Sequence, residues 1–139
     1  MPDSSVIDAA LVSVLASDST LMALMTDGVY MDVAENGKTK FVIVSLIDHE
    51  DDYVFQGESM ETAEYLIKAV DRAKVGTAVK TAAARIHTLL QGTPLTLPGY
   101  SHQMTRRTER VRYTEVDDVD KDIRWQHRGG QYQVVASPA

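Results

Sequence analysis

Histidine and carboxylate side chains offer the most chemistry in this sequence, because they ligate metals and exchange protons near neutral pH. The histidines are His49, His87, His102 and His127. No two of them stand at the i, i+4 spacing that places two ligands on one face of a helix, and each falls on a different predicted element. We therefore expect no metal site and interpret the histidines as surface or partly buried residues.

An acidic stretch around the first histidine has donor atoms suited to a divalent cation or to acid–base catalysis. Asp48, Glu50, Asp51 and Asp52 flank His49. The stretch lacks the glycine and the regular acidic spacing of an EF-hand loop, so we interpret it as a solvated loop. The same interpretation applies to a second acidic cluster, which consists of Glu115, Asp117, Asp118, Asp120 and Asp122.

A run of arginines is the most pronounced charge feature of the sequence. On an alternating strand, Arg106, Arg110 and Arg112 would share one face, and Arg107 would lie on the other. Contact with a phosphate backbone is one interpretation. Glu109 interrupts the run, so we favour salt bridges between strands or between subunits.

Motifs of common catalytic and nucleotide-binding sites are missing from the sequence. There is no cysteine, so thiolate ligands, cysteine nucleophiles and disulfides are excluded. There is also no Gly-x-Ser-x-Gly elbow, no GxGxxG and no P-loop. We expect a protein that is not an enzyme and needs no cofactor. A small metal-dependent hydrolase that uses the carboxylates near Asp48 and His49 is the alternative.

Length and composition predict a single domain over residues 1–139. The chain has 14 Lys and Arg against 20 Asp and Glu, a net charge of −6, and 44% hydrophobic residues. This composition argues against wholesale disorder, and the acidic balance disfavours a nucleic-acid grip. The longest apolar run, 41–47, is far shorter than the roughly 20 residues that span a bilayer, so we expect no membrane partner.

Hydrophobic periodicity predicts the elements that must position these side chains. It predicts a helix from Ser5, a short second helix near 21–25 and a third helix over 77–91. It predicts strands over 40–48, 100–113 and 123–135, and a minor strand near 29–31. Residues 60–72 fit a helix or a strand, and we favour a strand whose one face is formed by Glu61, Ala63, Tyr65, Ile67 and Ala69.

The resulting order, α-α-β-β-α-β-β, predicts an α+β fold. In this fold, helices pack on one face of a mostly antiparallel sheet of about four main strands. Within the last strand, Gly129 and Gly130 predict a bulge or a bend.

The layout resembles a known family over nearly the whole chain. Two helices lead into Gly28-Val-Tyr30, and the apolar strand Phe41-Val-Ile-Val44 follows about a dozen residues later. A strand at 63–67 and the helix at 77–90 come next, and the chain closes with 107–113, 123–125 and 132–134. This order is similar to that of the tail terminator proteins of long-tailed bacteriophages, a family also called tail completion or tail-to-head joining proteins that includes the lambda tail terminator.

The resemblance implies a structural protein of the virion. Such proteins form a ring, commonly of six subunits, on the head-proximal end of the tail tube, where they stop polymerisation and join tail to head. The implied partners are further copies of the chain, the tail tube protein and a head-completion or connector protein, while DNA passes through the lumen without specific binding. The implied location is the tail or neck of the virion, and the host cytoplasm during assembly.

We expect the acidic stretch and the arginine run to contact neighbouring subunits or the tube. The candidate interface residues are His49, Glu50, Asp51, Asp52, Tyr53, Phe55, Arg106, Arg110 and Arg112. A head-completion or connector-adaptor protein of the same neck is a related alternative, and a monomeric α+β binding module is a further one.

Overall fold

Three helices and five strands make up the fold in the computed structural model, which describes residues 5–54 and 57–138. The helices are α1 (Ser5–Ala16), α2 (Ser19–Leu24) and α3 (Thr77–Leu90). The strands are β1 (Val29–Met31), β2 (Lys40–Val54), β3 (Gly57–Arg72), β4 (Tyr100–Val116) and β5 (Arg124–Pro138). No helix among the described residues combines the length and apolarity needed to cross a membrane.

The strands form one sheet in the order β1-β2-β3-β5-β4. Strand β1 pairs with β2 in parallel, and the remaining neighbours are antiparallel. The sheet is therefore mixed, and the expectation of an α+β fold is refined by a short parallel strand at its edge. The parallel pairing follows from chain direction, because the segment 32–39 carries the chain back to the same end of the sheet before β2 begins.

All three helices lie against one face of the sheet. Helix α1 buries Ile7, Leu11 and Leu15 at i, i+4 spacing, which places them on one stripe of the helix. Helix α3 buries a similar stripe. Together these helices cover the apolar sheet residues Val42, Val44, Ala63, Tyr65, Ile67, Ala69, Tyr132, Val134 and Ala136. The helix-facing positions of β3 match the strand predicted for residues 60–72, which confirms that interpretation.

The other sheet face carries a smaller apolar cluster. Phe41, Ile43 and Val70 are buried there, and Tyr30 and Trp125 pack against them. Phe41 meets both aromatic rings at centroid distances of 6.3 Å, which is within the range of favourable aromatic pairs.

The bulges of the sheet do not lie where the sequence suggested. The prediction of a bulge at Gly129 and Gly130 is wrong, because β5 pairs with both β3 and β4 without a register shift at either glycine. The shifts fall within β2 at Ile47, within β3 at Ser59 and within β4 at Gln103 and Thr108, where one residue has no direct partner. At Gly129 a Cβ atom would lie 2.1 Å from the Ile67 carbonyl oxygen. The glycine is therefore needed for a close approach of two backbones.

The acidic stretch is not the predicted loop. Residues 49–52 continue strand β2, which pairs with β3 up to Val54 and Gly57 with one register shift after Asp52. Within the described residues, β5 pairs with β3 only from Glu61 onward, so the ends of β2 and β3 pair with each other as a two-stranded ribbon. We call residues 50–54 and 57–60 the acidic arm: it consists of this ribbon, which begins at Asp52 on β2, and of Glu50 and Asp51, which still pair inside the sheet.

Candidate functional site

Helix α3 forms one wall of a cleft on the helix-covered face. It has no acidic residue along its whole length. Its buried stripe holds it on the sheet, while Lys80 and His87 lie beside the edge strand β4 and line the cleft. The helix thus contributes one ammonium group and no carboxylate to this wall.

Strand β4 forms the opposite wall, and its bulge decides which arginines line it. Thr108 is the extra residue of this bulge and has no direct partner on β5. As a result, three arginines of β4 lie opposite alternate residues on one face of β5: Arg107 opposite Tyr132, Arg110 opposite Gly130, and Arg112 opposite Arg128.

The predicted grouping of Arg106 with Arg110 and Arg112 is therefore wrong. Arg106 pairs opposite Gln133 and lies on the other face, where its Nε donates to Gln133 Oε1 at 2.8 Å. A one-residue bulge exchanges the two faces for every position beyond it, so strict alternation along the sequence gives the wrong set.

The cleft between these walls has a volume of about 510 Å³ and continues into a neighbouring depression of about 390 Å³. The two share Lys80, Arg112 and Arg128. We name this surface the cationic cleft and define it by its positively charged side chains, which are Lys80, Arg107, Arg110, Arg112 and Arg128.

Within the parts of the chain that the structure describes, no cation of the cleft has an acidic partner. The ion pairs there involve other residues and join His49 to Glu61, Arg85 to Asp18, and His127 to Glu115. Guanidinium groups offer planar forks of donors that match carboxylate and phosphate oxygens. The cleft therefore has the chemistry to bind an anionic group.

The positive charge of the cleft shifts the pKa values of neighbouring titratable groups. His87 Nδ1 lies 3.1 Å from the hydroxyl of Tyr132, a buried residue next to the cleft. Burial lowers the pKa of His87, and the charges of Arg107 and Arg110 lower it further. Burial raises the pKa of Tyr132 against the opposing effect of the same arginines. At neutral pH the histidine is thus neutral and adds no charge to the cleft.

The acidic candidates lie elsewhere on the sheet. Strands β3 and β5 separate β2 from β4, so the structure does not bring the acidic arm to the arginines of the same chain. Glu50, Asp51 and Asp52 are exposed, and Tyr53 is 69% exposed. Phe55 lies outside the described residues.

Asp117, Asp118, Asp120 and Asp122 of the second acidic cluster lie in the turn between β4 and β5, whereas Glu115 belongs to β4 and pairs with His127. Asp117 accepts hydrogen bonds from the backbone N–H groups of Val119 and Asp120 at 3.0 and 2.8 Å. Asp120 accepts from the Asp122 N–H at 3.0 Å. The carboxylates of Asp117 and Asp120 organise the turn itself, in the way that aspartate does in tight turns. The predicted loop is therefore found for the four aspartates of the cluster, and it is wrong for Glu115, which lies in β4.

Sequence reasoning missed three contributors to these surfaces. Lys80 and Arg128 were not singled out because they come from elements far apart in the sequence. Glu61 was placed on the correct face of its strand, yet its nearness to His49, 3.6 Å between Oε2 and Nε2, depends on the register between β2 and β3. Only the pairing of strands could have revealed these neighbours.

The fold is thus an α+β domain with helices on one face of a mixed sheet, and it is shared with solved structures. One is a chain of a structure described as the virion of a native gene transfer agent (GTA) particle, with a TM-score of 0.69, 21% identity and coverage of 94% of this chain and 95% of that one. A second solved structure has a TM-score of 0.56 and 11% identity, with coverage of 100% of this chain and 97% of that one. Comparison with protein-family models found no match, and comparison with curated proteins found no significant match.

Proposed function

We propose that this chain is a structural protein of a phage-like virion and that it acts as a tail terminator, a ring that caps the tail tube and joins it to the head. The observation that carries the proposal is the likeness to the chain of the gene transfer agent virion, which extends over 94% of one chain and 95% of the other. The element order that resembles tail terminator proteins supports the finer assignment.

The charges of the molecule suit a ring of identical subunits. The chain has a net charge of −6. It nevertheless gathers in one cleft cations that have no ion-pair partner among the described residues, and it carries exposed carboxylates on an arm elsewhere. In a closed ring each subunit presents one patch to one neighbour and a different patch to the other. We propose that the cationic cleft of one subunit receives the acidic arm of the next.

The test of the interface compares two sets of arginines on the same strand. Replacing Arg107, Arg110 and Arg112 by glutamine should abolish or weaken the ring, because the cleft then loses three of its charges. The matched control is Arg106→Gln, on the opposite face of β4, which should assemble as the wild type does. Mass photometry and size-exclusion chromatography with light scattering report the assembly state.

A charge exchange identifies the partner surface. Glu50→Lys and Asp52→Lys on the arm should impair assembly alone, and mixing this variant with a charge-reversed cleft variant should restore it. Assembly should also weaken between 0.1 and 1 M salt, because the Debye length falls from about 10 to about 3 Å. Rings that form equally well with the neutral cleft would overturn the assignment of this interface.

The function is tested with the tail tube protein of the same particle. Electron microscopy of the two proteins together should show tubes that carry a ring at one end and stop growing, whereas tube protein alone should polymerise without a length limit. A chain that stays monomeric with tube protein and does not affect tube length would contradict the proposal. Capture of a portal-adaptor protein with no capture of tube protein would instead indicate a head-completion role.

A further inference from the structure

The register of β2 and β3 gathers metal-ligating side chains at the base of the acidic arm. His49 and Asp51 are two residues apart on β2, and Glu61 pairs directly opposite Asp51 on β3. Residues two apart on a strand share a face, and directly paired residues are close neighbours. One ligand atom from each of the three side chains lies within 4.8 Å of the others.

A bulge creates this arrangement. Upstream of Ile47, the even-numbered residues Val42 and Val44 face the helices. The extra residue at Ile47 moves the alternation by one position, so His49 and Asp51 lie on the same face as the buried Glu61, and Asp48 and Glu50 lie on the other face. Bulges commonly re-aim side chains in this way at functional sites.

The buried groups in this cluster lack hydrogen bonds. Glu61 is only 3% exposed, and both its Oε2 and the Nε2 of His49 are buried without a hydrogen-bond partner. A buried carboxylate oxygen or imidazole nitrogen left in this state is costly to desolvate. Such atoms in a native protein call for a partner.

The separation of the two atoms fits a shared cation better than a direct bond. His49 Nε2 and Glu61 Oε2 are 3.6 Å apart, beyond the usual hydrogen-bond length. Two ligands on a tetrahedral ion with bonds of about 2.1 Å are separated by about 3.4 Å. A small movement of either side chain would therefore place both within bonding distance of one ion.

We propose that His49, Asp51 and Glu61 form a binding site for a divalent transition-metal ion of the Zn²⁺ class. One imidazole nitrogen and two carboxylate oxygens are a donor set that zinc accepts. Asp51 is exposed, so the fourth position opens to solvent and can take water or a group from another molecule. The ion would fasten β2 to β3 where the acidic arm leaves the sheet.

This inference departs from the expectation that the histidines bind no metal, which considered neighbours in sequence only. It does not rest on the proposed function, because the observations behind it concern a single chain.

The site is tested by titrating tag-free, EDTA-treated protein with Zn²⁺ in a calorimeter. The wild type should bind one ion per chain. His49→Gln and Asp51→Asn should each weaken binding by about tenfold or more. The matched control is His127→Gln. His127 also pairs with a carboxylate, that of Glu115 at 3.1 Å, but it belongs to no three-ligand cluster among the described residues. The His127→Gln variant should therefore bind Zn²⁺ as the wild type does.

A spectroscopic measurement separates specific ligation from weak surface binding. Co²⁺ should give the visible absorption of a low-symmetry nitrogen and oxygen site in the wild type, and this signal should be absent in Asp51→Asn. Because Asp51 is exposed, this variant should fold, and its circular dichroism should match that of the wild type. Failure of the wild type to bind Zn²⁺ or Co²⁺, or equal binding by Asp51→Asn, would overturn the proposal.

Discussion

Substitution of glycine by alanine at three positions should measure how tightly the central strands approach each other. At Gly129 the added Cβ would lie 2.1 Å from the Ile67 carbonyl oxygen and 2.6 Å from the Lys68 Cα. At Gly130 its nearest contacts would be 2.8 Å, with one of them the flexible side chain of Arg107. At Gly76 the nearest atom would be 3.6 Å away, an ordinary contact.

These distances predict a graded loss of stability. Gly129→Ala must separate two backbones by about 1 Å to reach normal contact, which stretches ladder hydrogen bonds worth about 1 kcal/mol each and adds an overpacking cost of about 1–3 kcal/mol. We expect a loss of about 3 kcal/mol or more in the free energy of unfolding. Gly130→Ala should lose about 1–2 kcal/mol, since one of its clashing neighbours can move.

Urea denaturation followed by circular dichroism measures all three variants under one condition. Gly76→Ala is the control, because Gly76 has a φ of −95° and a Cβ there meets no close neighbour. Since Gly76 is the N-cap of α3 and alanine is a poorer N-cap than glycine, this variant should lose no more than about 1 kcal/mol. A Gly129→Ala protein as stable as Gly76→Ala would refute the close approach of β3 and β5. A larger loss of stability for Gly130→Ala than for Gly129→Ala would refute the distances from which the graded losses are predicted.

Two further substitutions test other parts of the fold. Asp18→Asn should lower the free energy of unfolding at pH 7 by about 1–2 kcal/mol after allowance for solvent screening, because the hydrogen bonds from Arg85 hold the pKa of Asp18 at about 2, below its usual 3.8. The difference in unfolding free energy between the variant and the wild type should be fully present at pH values above the ordinary carboxyl pKa of 3.8. It should disappear as the pH falls toward the folded-state pKa of about 2, and denaturation at several pH values measures this. Val134→Pro should lower the free energy of unfolding by about 3 kcal/mol or more, because Val134 is fully buried and pairs with strands on both sides. The control is Val116→Pro, at the exposed end of the edge strand. Thermal melting should show a large loss of stability for the first variant and little loss for the second.

The sequence was sufficient for the elements whose stability depends on local pattern. Helix α3 was predicted to within a residue because its apolar period and the following Gly92 agree, and this glycine adopts a φ of +78° just after the helix. The ambiguous segment 60–72 was assigned correctly because alternate residues from Glu61 to Ala69 fit one strand face. The pairing of β1 in parallel was not predicted, since a three-residue strand carries too little pattern to show its direction.

The candidate sites depended on information that a single sequence does not contain. An extra residue such as Thr108 has no composition that marks it as a bulge, yet it decides that Arg107 rather than Arg106 joins Arg110 and Arg112. The acidic stretch looked like a loop because charged residues are uncommon in central strands. In the structure Asp48 to Asp51 continue β2 inside the sheet, and only the part from Asp52 onward lies in the ribbon beyond it.

The separation of the opposite charges bears on how the molecule would assemble. The acidic arm belongs to β2 and β3, while most of the cationic cleft belongs to β4 and α3. Two strands lie between β2 and β4, a distance of about 14 Å at the usual strand spacing, and the arm extends away from the sheet. Within one chain these charges therefore stay apart.

Between two chains the acidic arm and the cationic cleft are complementary and lie on different patches of the surface. Repeated contacts of that kind either close into a ring or grow into a filament. Closure is the outcome that a tube-capping protein requires, so the rotation between neighbouring subunits, and not the strength of the contact alone, is what the charge-exchange variants must preserve.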